Sequence, residues 1–171
     1  MVIIRQAKLS DVKAVAKVHV DSWNSTYEGI VPPHYLNTLS YEVYEKMWHD
    51  LIANEPLYVA QIGQEIVGFA KAGSNNERTY PQFESELYVL YILEDYQGKG
   101  IGKELLITVI THLLEQHVYS LYLYVLKDNS ACQFYEKHGA RLIDEVATDI
   151  GGKKLTECVY GWDNLRLKEL D

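Results

Sequence analysis

Apolar residues recur along the chain at two spacings, and the change from one to the other marks out the elements. Val2 to Arg5 reads as a first strand. Val12, Val15, Ala16, His19 and Trp23 then follow at helical spacing, with Ser10 and Asp11 available as an N-cap and Tyr27-Glu28-Gly29 as the end. Pro32-Pro33 interrupts the pattern. A second helix is expected from Tyr41 to Ala53, with Val43, Met47, Leu51 and Trp48 facing inward. Leu57 to Ile62 and Ile66 to Ala72 are strand-like runs around Gly63-Gln64-Glu65, a hairpin signal. After the polar loop Ser74 to Arg78, Leu87 to Leu93 is apolar or tyrosine throughout. That predicts a strand covered on both faces.

The C-terminal half repeats this logic. Ile101, Leu105, Leu106, Val109, Ile110, Leu113 and Leu114 give one apolar helix face, closed by His117. Tyr119 to Leu126 reads as a strand parallel to Leu87–Leu93, because a helical crossover separates them. Asn129 can cap a short helix from Ser130 to Lys137 that Gly139 ends. Arg141 to Thr148 and Leu155 to Gly161 flank a Gly151-Gly152 turn, and the tail from Trp162 is polar, with a short helix expected there. Strands and helices in this order predict an α/β (mixed α+β) fold with helices on both faces of a mixed sheet.

Composition adds limits. The chain has 171 residues, which suits a single domain spanning 1–171. Net charge is −8 and no run of lysine or arginine occurs, so no nucleic-acid or anionic-membrane partner is expected, and a cationic partner fits better. Cys132 and Cys158 are far apart in sequence and read as reduced thiols of a cytoplasmic protein. No signal peptide or membrane-spanning run is seen, and the histidines lack metal-ligand spacing, so no metal is expected.

Between the apolar strand and the long helix lies Gln97-Gly98-Lys99-Gly100-Ile101-Gly102-Lys103. Glycines at a helix mouth let the backbone approach a ligand, and the free first-turn amides favour a phosphate. The dinucleotide fingerprint fails because its third glycine would be Lys103. The P-loop fails because Gln97 and Glu104 stand where glycine and serine or threonine are needed. Gln97-x-x-Gly100-x-Gly102 resembles the pyrophosphate loop, Q/R-x-x-G-x-G/A, of the GNAT superfamily of acyl-CoA-dependent N-acyltransferases. The order of elements resembles that superfamily over nearly the whole chain. The resemblance implies a mostly antiparallel central sheet of about seven strands, with acetyl-CoA as cosubstrate. Gln97, Gly98, Lys99, Gly100, Ile101, Gly102 and Lys103 would hold its pyrophosphate, and backbone groups of Leu90, Tyr91 and Ile92 its pantetheine arm.

A second segment, Asn129-Ser-Ala-Cys-Gln-Phe-Tyr-Glu-Lys-His-Gly139, resembles the family's N-x-x-A-x-x-F-Y-x-x-x-G, with the alanine one place early at Ala131. By that resemblance Asn129 contacts the pantetheine, and Tyr135 protonates the departing thiolate of CoA. Read without it, Asn129 is an N-cap and Tyr135 a packed ring among 14 tyrosines. The family usually continues Gly-Phe where this chain has Gly139-Ala140. Glu86 stands eleven residues before Gln97, the place of the catalytic glutamate in the histone acetyltransferase branch. It would take the proton of the attacking amine, directly or through water. The alternative is a glutamate that is merely solvated or ion-paired. Trp23, Tyr27, Glu28 and Tyr88, with Tyr35 nearby, would wall the acceptor pocket, since aromatic faces and a carboxylate suit an alkylammonium.

The expectation is therefore acetyl transfer to a small cationic primary amine by direct attack in a ternary complex, from a protein that could be a homodimer. A non-catalytic CoA-binding sensor on the same fold, and an unrelated phosphate-ligand binder, are the alternatives.

Overall fold

The computed structural model describes residues 1–167. The strands are β1 (Val2–Gln6), β2 (Tyr58–Ile62), β3 (Glu65–Ser74), β4 (Ser85–Ile92), β5 (Leu121–Leu126), β6 (Arg141–Ile150) and β7 (Lys153–Trp162). The helices are α1 (Val12–Tyr27), α2 (Pro33–Leu36), α3 (Tyr41–Asn54), α4 (Ile101–Glu115) and α5 (Ala131–Lys137). The strands form one seven-stranded sheet in the order β1-β2-β3-β4-β5-β7-β6. β4 and β5 run parallel, whereas β1/β2, β2/β3, β5/β7 and β6/β7 are antiparallel. This is the mixed, mostly antiparallel arrangement expected. In the tail, Leu165–Leu167 forms a single 3-10 turn, and the rest of the expected helix lies outside the described residues.

The chain divides into two compact units, Met1–Lys71 with Val89–Thr108, and Ala72–Tyr88 with the described residues from Val109 onward. β3, β4 and α4 each run through both. In the first unit, Val15, Ala16, Val18, Trp48, Leu57, Val59, Ile66 and Phe69 make one buried cluster. Each of its valine, leucine, isoleucine and phenylalanine side chains contributes roughly 1.5–3 kcal/mol of transfer free energy. Two sequence expectations are corrected here. Asp11 does not cap α1 with its side chain. Its carboxylate instead accepts from the Lys8 amide and from Arg5, closing a 3-10 turn ahead of the helix. On α3, Val43 and Met47 are exposed at 64% and 37%, and the inward stripe is the buried Trp48 with the partly buried Tyr44, Leu51 and Ile52. The inward face is set by Trp48, whose indole needs both burial and a hydrogen-bond acceptor.

In the second unit, Tyr80, Phe83, Tyr122 and Val159 form a smaller cluster flanked by Tyr124, Ile143 and Val146. The loop between β3 and β4 folds over this face and is fastened by Asn75. Its Nδ2 donates to the carbonyls of Tyr80 and Phe83, both at 2.9 Å, and its Oδ1 accepts from the Arg78 amide at 3.0 Å. Gly161 leaves room for the Phe83 ring, which would lie 2.5 Å from a Cβ there. The β6–β7 hairpin turns at Gly151-Gly152, where both residues have positive φ.

Helix α4 buries Ile101, Leu105, Leu106, Val109, Ile110 and Leu113 as the spacing predicts. Its end is a Schellman motif, with the Val118 amide donating to Leu113 O, the His117 amide to Leu114 O, and His117 itself at φ +59°. β4 departs from expectation. Ser85 and Leu87 are buried, but Tyr88 is 37% exposed and Val89 to Ile92 are only half-buried, so the strand is not covered on both faces along its length.

Candidate active site

β4 ends at Ile92, and a 3-10 turn, Glu94–Tyr96, leads into the glycine loop. Gly98 and Gly100 have φ of +72° and +84°, and a Cβ at either would meet nothing within 4 Å. The loop is thus a left-handed backbone standing open to approach. Gln97 Nε2 donates to Ile92 O at 3.0 Å and Lys99 Nζ to Asp95 O at 2.7 Å, so both side chains brace the loop itself. α4 begins at Ile101, and its first-turn amides have no intrahelical acceptor. Together with the helix dipole they fit a pyrophosphate.

Leu90, Tyr91 and Ile92 lie on the half-buried end of β4. β3 approaches so closely there that a Cβ on Gly68 would lie 2.9 Å from Tyr91 O. The Tyr91 ring also has a place. Its hydroxyl accepts from Trp23 Nε1 at 3.0 Å, and the ring packs 5.1 Å from His19 and 5.7 Å from Phe69. Burial pushes its phenol up from the ordinary range. The Trp23 ring packs at a tilt against Tyr27, at 4.5 Å, and against Tyr35, at 6.2 Å. Trp23, Tyr27 and Tyr35 therefore form one aromatic cluster, and Tyr91 joins it to the core. Tyr27 is buried, while Glu28 is exposed at the C-cap of α1. Behind Tyr91, His19 is buried and accepts from Trp48 Nε1 at 3.0 Å, which leaves its proton on Nε2. Burial lowers its pKa to about 4.

Glu86 lies opposite Tyr122 in the β4–β5 register. The Tyr122 hydroxyl is 3.0 Å from Glu86 Oε2 and 3.2 Å from Asn75 Oδ1. Tyr122 is fully buried, with its ring 5.4 Å from Tyr80, 5.7 Å from Phe83 and 5.7 Å from Tyr124. Desolvation raises the Glu86 pKa, and Glu77 and Glu157 add to the rise, whereas the hydrogen bond from Tyr122 opposes it. Glu157, half-buried on β7, is itself raised by burial. A half-buried carboxylate held by a phenol, beside two others, is a competent proton acceptor that also attracts cations. Tyr88, on the same strand, lays its ring over Gly73 and donates its hydroxyl to Ser74 O.

Tyr135 is buried on α5, edge-on to Trp162 at 6.3 Å and beside Phe134 at 5.2 Å. α5 is held at its C-terminus by Gly139 at φ +77° and by the amides of Gly139 and Ala140, which donate to Glu136 O and Tyr135 O. Ala140 is buried, so the departure from the family's Gly-Phe is accommodated by a small side chain. Asn129 Oδ1 accepts from the Ala131 amide at 2.9 Å, so the side chain does cap the helix start, one residue before its formal N-cap, Ser130. Cys132 and Cys158, far apart in sequence, are neighbours in space and both free.

The surroundings of Glu86 went unread in the sequence: Asn75, Tyr122, Tyr124 and Glu157. The Leu-Tyr-Leu-Tyr alternation of β5 puts Tyr122 and Tyr124 on one face, but only the pairing of β4 with β5 puts that face beside Glu86. Among the described residues, no group of three or more His, Cys, Asp or Glu side chains could hold a metal ion, and no helix is long and apolar enough to cross a membrane.

A mixed sheet with a glycine-rich loop between its central strand and the following helix is the arrangement that the resemblance to the acyl-CoA-dependent acyltransferases implies. The chain belongs to the Acetyltransferase (GNAT) family, whose sequence model matches residues 20–140. It is an acyl-CoA-dependent N-acetyltransferase. It is 36% identical to the uncharacterized N-acetyltransferase YuaI of Bacillus subtilis (strain 168), over 96% of this chain and 95% of that protein. It is 27% identical to the spermidine N(1)-acetyltransferase of Thermoplasma acidophilum, over 85% of this chain and 92% of that one. Among solved structures, the PaiA N-acetyltransferase of Thermoplasma acidophilum in complex with coenzyme A superposes with a TM-score of 0.74 at 26% identity. That match covers 92% of this chain and 98% of the other.

Proposed function

We propose that the enzyme transfers the acetyl group of acetyl-CoA to a small cationic primary amine by direct attack within a ternary complex. When bound, acetyl-CoA supplies the thioester. In the first unit, the backbone from Gln97 to Lys103 binds the pyrophosphate, and the main chain of Leu90, Tyr91 and Ile92 lines the pantetheine. In the second unit, Asn129 adds a contact to that arm. Glu86 accepts the proton of the acceptor amine, and Tyr135 donates its phenolic proton toward the leaving sulfur. No covalent enzyme intermediate is needed. Cys132 and Cys158 have thiols held above their ordinary pKa, chiefly by burial, which makes both poor nucleophiles.

The observation that carries this reading is the setting of Glu86, half-buried, hydrogen-bonded by Tyr122 and raised in pKa beside Glu77 and Glu157. Such a group accepts a proton more readily than an ordinary glutamate and draws an alkylammonium. A relative named for acetylating spermidine supports the same acceptor class. The aromatic residues Trp23, Tyr27 and Tyr88, with Glu28, are proposed as further acceptor contacts.

An amine panel monitored by release of free CoA thiol tests this. Cationic amines should turn over faster than neutral or acidic ones. Fastest turnover with acidic amino acids would contradict the proposal.

A further inference from the structure

The Tyr122 hydroxyl has one hydrogen and two acceptors in range, Glu86 Oε2 at 3.0 Å and Asn75 Oδ1 at 3.2 Å. The direction of the Asn75 amide is fixed independently. Its Nδ2 donates to the carbonyls of Tyr80 and Phe83, and its Oδ1 also takes the Arg78 amide. Oδ1 therefore faces Tyr122 as a permanent acceptor. The Tyr122 ring is fully buried between Tyr80 and Phe83, so the ring is held while the O–H bond rotates.

We infer that Tyr122 and Asn75 form a two-position hydroxyl switch that lets Glu86 take up and release a proton without leaving a buried polar group unpaired. While Glu86 is a carboxylate, the Tyr122 hydrogen points to it. When Glu86 receives the acceptor's proton, the Tyr122 hydrogen turns to Asn75 Oδ1, and the phenolic oxygen accepts from the new Glu86 O–H. Tyr122 keeps its own proton throughout. The proton from the amine nitrogen ends on Glu86, the Tyr122–Glu86 hydrogen bond reverses direction, and the Tyr122 hydroxyl gains Asn75 Oδ1 as its acceptor. A fixed donor would favour the carboxylate alone and oppose proton uptake, because hydrogen bonds to a charged group are the stronger ones. Asn75 offsets that bias. The arrangement rests on Glu86 serving as the base, and Tyr122 and Asn75 are positioning residues that act through it. The other titratable groups around Glu86 are Glu77 from the loop, Tyr124 from β5 and Glu157 from β7.

The test is a carbon-13 NMR titration of the Glu86 carboxyl in the enzyme alone, assigned by its loss in Glu86→Gln. Tyr122→Phe removes the donor to the carboxylate and keeps the ring, so the Glu86 pKa should rise by roughly half to one unit. Asn75→Ala removes the alternative acceptor and should lower it by a similar amount. A loop merely loosened by Asn75→Ala would hydrate Glu86 and lower its pKa whether or not residue 122 carries a hydroxyl, whereas the switch requires that Asn75→Ala lower it in the wild-type background and leave it unchanged in a Tyr122→Phe background. Asn75→Asp, which keeps an acceptor oxygen toward Tyr122, serves where Asn75→Ala fails to fold, and should not lower the Glu86 pKa. No rise in Tyr122→Phe, or no fall in Asn75→Ala, would overturn the switch. Turnover of spermidine by Glu86→Gln at the wild-type rate would overturn the base assignment, and the catalytic use of the switch with it. That failure is recognisable because the NMR shifts would still be present.

Discussion

Trp48 Nε1 donates to His19 Nδ1 over 3.0 Å, inside a ring of Tyr44, Phe69 and Tyr91. The bond joins α3 to α1 and requires a neutral imidazole. Burial holds the His19 pKa at about 4, below the ordinary 6.5. Between those values the unfolded chain binds the extra proton and the folded one does not, so stability rises with pH across this window. It is fully present above about pH 6.5 and falls as pH drops toward 4, by roughly 3 kcal/mol for this group. Urea unfolding at a series of pH values should show that loss in the wild type. His19→Gln, which keeps an acceptor for Trp48 but does not titrate, should show a flatter profile.

The loop makes a separate prediction. Gly100→Val puts a β-branched residue at φ +84° and a side chain where the backbone stands open. The backbone strain should cost about 1–2 kcal/mol of stability, leaving a folded protein. Acetyl-CoA affinity by calorimetry should fall sharply. Unchanged affinity in a folded variant would remove the pyrophosphate assignment.

Tyr88 is tested through its neighbour. Its ring passes so close to Gly73 that a Cβ there would lie 2.6 Å from it. Gly73→Ala should turn the ring away, raise the KM for the amine several-fold and leave acetyl-CoA affinity unchanged. An unchanged amine KM would remove Tyr88 from the acceptor contacts.

What the sequence disclosed and what it hid follow from the range of the interactions involved. The glycine loop, the α4 stripe and the Gly151-Gly152 hairpin are local features, written in residues a few positions apart. On α3 the expectation holds for Trp48 and Leu51 and fails for Val43 and Met47, which fit a helical stripe as well as Tyr44 and Trp48 do. Only His19, 29 residues from Trp48, decides between them. Glu86 could be picked out by its distance from the loop. Its partner Tyr122 lies 36 residues away and is brought to it by a strand register that no local pattern encodes. The exposure of Tyr88 on a strand that reads as wholly apolar likewise depends on what covers that strand, not on its composition.

The division of labour between Glu86 and Tyr135 is tested most directly by the pH profile of turnover for the wild type, Glu86→Gln and Tyr135→Phe, with acetyl-CoA affinity measured alongside. Because burial raises the Glu86 pKa, the acidic limb of the wild-type profile should lie above the ordinary glutamate range. Glu86→Gln should lose most activity at low pH and recover much of it at high pH, where the free amine is abundant. Tyr135→Phe keeps the contact with Trp162 and should be impaired at every pH at which the wild-type phenol is protonated. Each loss should fall within roughly 10²–10⁴-fold, with donor affinity nearly unchanged. Two near-wild-type profiles would contradict the assignment of both residues, and lost acetyl-CoA affinity with intact turnover in Tyr135→Phe would make Tyr135 a binding residue instead of the acid.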